Sequence, residues 1–151
     1  MPEMKFIPIA PVVALFLFGL VSTANATDQR SEADMIRIQV VVGDEVLSAT
    51  LDDTPAVRDL AALLPLDLTL TDYHGIEKVA DLPRKLDTTD APASYTPKTG
   101  DITLYAPWGN LAIFLKPFQT SRGLVRLGAF DGPIDALAKS GGIPVRFQAA
   151  D

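Results

Sequence analysis

Ile36-Arg-Ile-Gln-Val-Val-Val-Gly-Asp-Glu-Val-Leu-Ser-Ala-Thr-Leu51 is the stretch from which the fold can be read. Ile36, Ile38, Val40 and Val42 alternate with Arg37 and Gln39, and Leu47, Ala49 and Leu51 alternate with Ser48 and Thr50. A two-residue period puts each apolar set on one face of an extended chain, so both halves read as half-buried strands. Gly43-Asp44 between them suits a tight turn of type II′ or I′, because glycine accepts the positive φ that such a turn needs. The stretch is a β-hairpin with one face bound for a core.

Further strands follow downstream. Asp52-Asp53 or Thr54 can cap a short helix, with Pro55 in its first turn, where the missing N–H costs nothing. Val57, Leu60, Ala61 and Leu64 form its apolar stripe, and Pro65 ends it. Leu66, Leu68 and Leu70 alternate with Asp67, Thr69 and Thr71 as a third strand. After a turn at His74-Gly75, Ile76 to Leu82 fits either a strand or a short helical turn. Residues 83–100, with Pro83, Pro92 and Pro97, form a long connection of the kind that is more often functional or mobile than filler. Ile102 and Leu104 resume the strand pattern, and Leu111 to Leu115 is continuously apolar, as in a strand buried on both faces. Val125, Leu127 and Ala129 make another strand. Asp131-Gly132-Pro133 then opens a second short helix through Ile134, Leu137 and Ala138, closed by Gly141-Gly142. Val145, Phe147 and Ala149 form the last strand. Six or more strands with two short helices predict a mainly β domain, a closed or nearly closed barrel that hides its edges.

Upstream, residues 1–26 read as a secretory signal. Lys5 gives a positive n-region and Phe6 to Val21 an apolar core, of the length expected of a signal and short for a membrane span. Ala24-Asn25-Ala26 supplies the small-x-small cleavage pattern, so Thr27 is the expected new N-terminus. Residues 27–34 are polar and aperiodic, a flexible lead-in, and the barrel domain occupies 35–151. The expectation is a periplasmic or secreted protein without stable membrane insertion after cleavage.

Composition removes several functions. With Cys 0 and His 1 there is no disulfide framework, thiol nucleophile or structural zinc site, and no metal or other cofactor is expected. A net charge of −6 argues against a nucleic-acid partner, whose capture needs a basic surface. No phosphate loop, dinucleotide turn or nucleophile elbow is present. His74 lies in a turn and reads as a surface residue, not a catalytic base. Asp131 reads as the cap of the second helix. Asp81, Asp87 and Asp90 could face one another across the long loop, but they lack the alternating oxygen ladder of a calcium loop.

Two constellations remain. Tyr105-Ala-Pro-Trp-Gly-Asn110 holds Trp108, the only tryptophan, and Asn110, the only asparagine beyond the leader. Either the indole plugs a barrel end while Asn110 bonds nearby backbone, or Trp108 floors a pocket into which Asn110 aims its amide. Arg84 and Lys85, with Tyr95, Arg122 and Arg126, could capture a carboxylate, phosphate or peptide carbonyl, or the charges could simply be solvated. Phe118 completes the set of binding candidates with Arg84, Tyr95, Tyr105, Trp108, Asn110, Arg122 and Arg126.

Gly100-Asp-Ile-Thr-Leu-Tyr-Ala-Pro-Trp-Gly-Asn-Leu-Ala-Ile-Phe-Leu-Lys116 resembles the signature of the bacterial cyclophilin-like domain family. Leu82-Pro-Arg-Lys-Leu86 and Gly123-Leu-Val-Arg-Leu-Gly128 extend the resemblance over about Met35 to Ala149. It implies a cyclophilin-like β-barrel with short helices over its ends, and an association of some members with flavodoxin-type redox partners. Cyclophilin prolyl isomerases use an arginine, aromatics, a glutamine and a histidine around the proline ring. On the resemblance, Arg84, Arg122 or Arg126 would stand for the arginine, Phe114 or Phe118 for the aromatic floor, and Gln119 for the glutamine. Activity does not travel with a fold alone. The expectation is a small-molecule or peptide-binding module, with prolyl isomerisation and a redox-accessory role as its rivals.

Overall fold

Residues 35–151 are described in a computed structural model; the leader and lead-in lie outside the described residues. The hairpin pairs β1 (Ile36–Val42) with β2 (Glu45–Leu51), and Val42 faces Glu45 across the turn. Gly43 takes φ +58° and Asp44 does not follow it to positive φ, which selects the II′ form of the turn. Helix α1 (Pro55–Ala62) comes next. Thr54 caps it, accepting from the Val57 N–H at 3.2 Å, and Ala56, Val57 and Leu60 are buried. Asp52 and Asp53 are not its caps, because each is held by an arginine: Asp52 by Arg126 and Asp53 by Arg58, both at 2.5 Å.

The remaining strands are β3 (Leu66–Tyr73), β4 (Glu77–Asp81), β5 (Ser94–Tyr95), β6 (Asp101–Tyr105), β7 (Asn110–Phe114), β8 (Ser121–Arg122), β9 (Leu124–Phe130) and β10 (Ile143–Ala149). Eight of them close an antiparallel barrel in the order β1-β10-β3-β4-β7-β6-β9-β2, and β5 with β8 forms a separate two-stranded flap. The segment 76–82 is thus a strand, not a helical turn. The second expected helix shrinks to one 3-10 turn, Asp135–Leu137. Pro133 before it and Gly141-Gly142 after it leave room for little more than a nucleus, which gains few hydrogen bonds for the order it imposes. Asp131 does not cap this turn and instead accepts from the Thr50 hydroxyl at 2.7 Å.

Barrel closure depends on a close approach. A Cβ on Gly128 would lie 2.3 Å from the Thr50 carbonyl oxygen and 2.7 Å from the Leu51 Cα, so β9 can lie against β2 only with glycine there. Inside, alternate side chains such as Ile38, Val40, Leu51, Leu70, Ile102, Leu104, Leu111, Ile113, Leu127 and Phe147 fill one apolar core. Lys78 joins them on the interior face of β4, with no exposed surface. Its ammonium pairs with Asp72 at 2.6 Å and donates to the Lys139 carbonyl, which ties the loop after the 3-10 turn to the barrel. A buried ammonium is tolerated only with such partners.

β7 explains where the site forms. Leu111 and Ile113 point into the core, while Ala112 and Phe114 point outward and are still buried. What covers them is the flap: Ala112, Phe114 and Leu124 make a second apolar cluster with Ile76, Val79, Tyr95 and Tyr105. The continuous apolar run of β7 thus reflects one face in the barrel and the other beneath a lid of chain. Residues 83–100 are pinned at several points. Leu86 is buried in the main core, and Asp59 of α1 accepts from the Asp87 N–H at 2.7 Å. Gly123 N–H donates to Ala93 O at 3.0 Å, and Tyr95 Oη donates to buried Asp101 at 2.6 Å.

Candidate binding groove on the outer wall

Between the outer wall and residues 118–122 lies a groove of about 850 Å³. Its floor is the outward face of β3, β4 and β7, which contributes Thr71, Val79 and Ala112 in one cross-strand row. The next row toward the β6–β7 turn runs Asp81, Asn110, Tyr105, and the opposite row runs Tyr73, Glu77, Phe114. Residues 118–122, between β7 and β9, form the other lip. Side chains in register on one face of a sheet are within reach of one another, so each row acts as a unit.

Aromatic rings build the walls. Trp108 stands edge-to-face against Tyr105, with centroids 5.2 Å apart, and against Tyr73 at 6.3 Å; Tyr73 continues the chain to His74 at 4.4 Å. Across from them Phe114 stacks on Phe118 at 6.5 Å. The indole does not plug the barrel. It is 67% exposed on the groove rim, because the turn it occupies projects from the wall instead of folding over an end. The indole thus stands at the mouth of the groove with much of its apolar surface in water.

Asn110 divides its amide between two tasks. Its Nδ2 donates to the Leu111 carbonyl at 3.3 Å, whereas Oδ1 is buried with no hydrogen-bond partner among the described residues, in a residue only 7% exposed. A buried acceptor left unpaired is rare and costs free energy unless a ligand supplies the donor. Glu77 is half-buried, and desolvation raises its pKa above the ordinary carboxylate value, with the nearby His74 partly opposing the shift. Neither Glu77 nor Asp81 has a hydrogen bond or ion pair from its carboxylate among the described residues. Arg122 on the flap likewise has no ion-pair partner among the described residues.

Five of the eight binding candidates thus meet at the groove: Tyr105, Trp108, Asn110, Phe118 and Arg122. The other three are placed elsewhere. Arg84 reaches Asp59 of α1 at 3.4 Å, on the side of the long loop that faces the helix. Tyr95 belongs to the flap and turns its phenol toward Asp101; burial together with that hydrogen bond pushes the phenol up to about 12, so it remains a donor. Arg126 is engaged by Asp52; burial would lower its pKa, but the Asp52 hydrogen bond and charge, helped by Tyr95 and Asp101, raise it. Both hold the flap and the β2–α1 junction in place.

Tyr73, Glu77 and Asp81 belong to the groove and escape a reading of the sequence by local motif. Their signal is register: strands flanking His74-Gly75 set Tyr73 opposite Glu77. Among the described residues no group of three or more His, Cys, Asp or Glu side chains could hold a metal ion. Asp81 faces the groove, while Asp87 is taken up by the Thr89 N–H and hydroxyl at 2.9 and 2.6 Å. No helix among the described residues is long and apolar enough to cross a membrane.

A closed antiparallel barrel with short helical pieces and a groove on its outer wall defines a class of small β-barrel domain. Within that class, the model of the cyclophilin-like family matches residues 40–148, and the chain belongs to this family. Among solved structures, the solution structure of the hypothetical protein AF2241 from Archaeoglobus fulgidus is similar in fold. Its TM-score is 0.57 at 15% identity, over 78% of this chain and 96% of that one. No curated protein matches the chain significantly.

Proposed function

We propose that this chain is an exported cyclophilin-like domain that binds a small molecule or a peptide segment in the outer-wall groove. The observation that carries the reading is the unpartnered Asn110 Oδ1, buried in a groove of about 850 Å³ walled by aromatic rings. A donor brought by a ligand would satisfy that acceptor, and the rings supply apolar contact around it. Export rests on the leader, with its apolar core and Ala24-Asn25-Ala26 cleavage pattern. A thermal-shift scan of amides, amines and short peptides tests the site, repeated on Trp108→Ala and Asn110→Leu. Ligands should raise the melting temperature of the parent chain alone; a response that survives both substitutions refutes the assignment.

A second reading, prolyl isomerisation, is favoured by one placement. Of the six residues that the family resemblance offers for a proline site, Phe114, Phe118, Gln119 and Arg122 line the same groove, while Arg84 and Arg126 are paired elsewhere. Uncatalysed X–Pro exchange takes tens of seconds or more, so a coupled peptide assay detects catalysis readily. Acceleration lost in Arg122→Ala supports the reading, and no acceleration across several X–Pro peptides ends it.

A further inference from the structure

The charged groups on the floor of the groove, Glu77 and Asp81, are both acceptors. In one cross-strand row Asp81 lies opposite Asn110, and Asn110 lies opposite Tyr105. That row sets a carboxylate beside the unpartnered amide oxygen. Trp108, in the turn at the end of this row, stands edge-to-face with its Tyr105 and also reaches Tyr73 of the opposite row, so the indole meets a ring of each row. Glu77 adds a second carboxylate at the other end of β4. The one cation lining the groove, Arg122, belongs to the flap and not to the floor.

Acceptors and ring faces answer to one ligand chemistry. A cation beside aromatic faces gains from the ring quadrupoles, and N–H donors on that cation satisfy carboxylate and amide oxygens together. A neutral donor would fill Asn110 Oδ1 but leave Asp81 unanswered. An anion would meet Asp81 and Glu77 as like charges. We propose that the groove receives an organic cation bearing N–H donors, an alkylammonium or guanidinium head, seated between Asp81, Asn110 Oδ1 and the Trp108 indole. The proposal rests on the groove being a binding site and names the chemistry of its occupant. The protein's net charge of −6 favours the approach of such a ligand.

Trp108 is the only tryptophan, so its emission reports on the site directly. The test is a titration with phenethylammonium chloride at pH 7.5 and fixed ionic strength. Its comparators are 2-phenylethanol, which keeps the ring and a donor without charge, and 3-phenylpropionate, which reverses the charge. Phenethylammonium should shift the emission saturably, with either comparator at least about tenfold weaker, the equivalent of one charge-assisted contact. Asp81→Asn should weaken phenethylammonium by about tenfold, and Asp44→Asn, which removes the same charge at the distant hairpin turn, by less than about twofold. An alcohol or carboxylate that binds as tightly, or an affinity indifferent to Asp81→Asn, overturns the cation assignment and leaves the groove standing. No saturable response to any of the three overturns both.

Discussion

Replacing Asn110 with leucine separates what the side chain does for the fold from what it does for a ligand. In the free protein Oδ1 is buried and unpartnered, and such an acceptor costs about 1–3 kcal/mol. The compensating bond, Nδ2 to the Leu111 carbonyl, is long at 3.3 Å. It belongs at the weak end of the net range, about 0.5 kcal/mol. Leucine removes both and adds apolar contact with Ala112 and the rings of the groove, where there is room for its extra volume. The balance favours the variant by about 1.5 kcal/mol. With a urea dependence of about 1.5 kcal/mol per molar for a domain of this size, the unfolding midpoint should rise by about 1 M. Equilibrium urea unfolding followed by Trp108 emission and by circular dichroism measures it, while ligand-induced thermal shifts on the same variant should vanish. A midpoint that falls by a comparable amount at unchanged slope would mean that Asn110 is a structural residue, and the argument from its orphaned oxygen would fail.

Other substitutions probe other parts of the molecule. Gly128→Ala forces a methyl against the β2 backbone and should destabilise by about 3 kcal/mol or prevent folding, read from the urea midpoint; a loss under 1 kcal/mol would show that the strands can separate there. Lys78→Met keeps the apolar stem and leaves Asp72, which is partly exposed, to water. Global stability should change by less than about 1 kcal/mol, while amide exchange in residues 138–142 accelerates, because the tether to Lys139 is gone. Glu77 has a raised pKa in the fold, so the protonated form is favoured there. Its contribution to stability is full below the unfolded carboxyl value and is lost as pH rises through the higher folded value. Glu77→Gln should therefore be more stable than the parent at pH 7, with the advantage shrinking toward pH 4 in parallel urea series; an advantage that grows on acidification contradicts the desolvation argument. Trp108→Ala should leave the melting temperature within about 2 °C of the parent, as expected for a side chain held mostly in solvent.

The barrel is legible in the chain wherever one face meets the core and the other meets water. Residues 36–51 show this best, since alternation, a glycine turn and renewed alternation leave a single register. Leu111 to Leu115 is legible for the opposite reason, a run without alternation, although the run does not say what covers its outer face. The flap is not legible: strands of two residues, Ser94–Tyr95 and Ser121–Arg122, are too short to carry a period. Lys78 is hidden too, because a lysine next to a glutamate reads as solvent-facing until Asp72 and Lys139 are seen beside it. The candidate site divides along similar lines. Trp108 and Asn110 stand out by rarity and meet in the groove, whereas Arg84, equally conspicuous beside Lys85, is turned toward α1. Tyr73, Glu77 and Asp81 enter only through cross-strand register, which no local motif records.

β7 is shared property. The five residues Asn110–Phe114 supply interior packing with Leu111 and Ile113 and the groove floor with Asn110, Ala112 and Phe114. A strand hydrogen-bonded on both edges and packed on both faces cannot yield to an incoming molecule without disturbing the whole cylinder. On the proposed reading, selectivity would come from a stiff template, with guests suiting a shape already made and any adaptation left to the rim around Trp108.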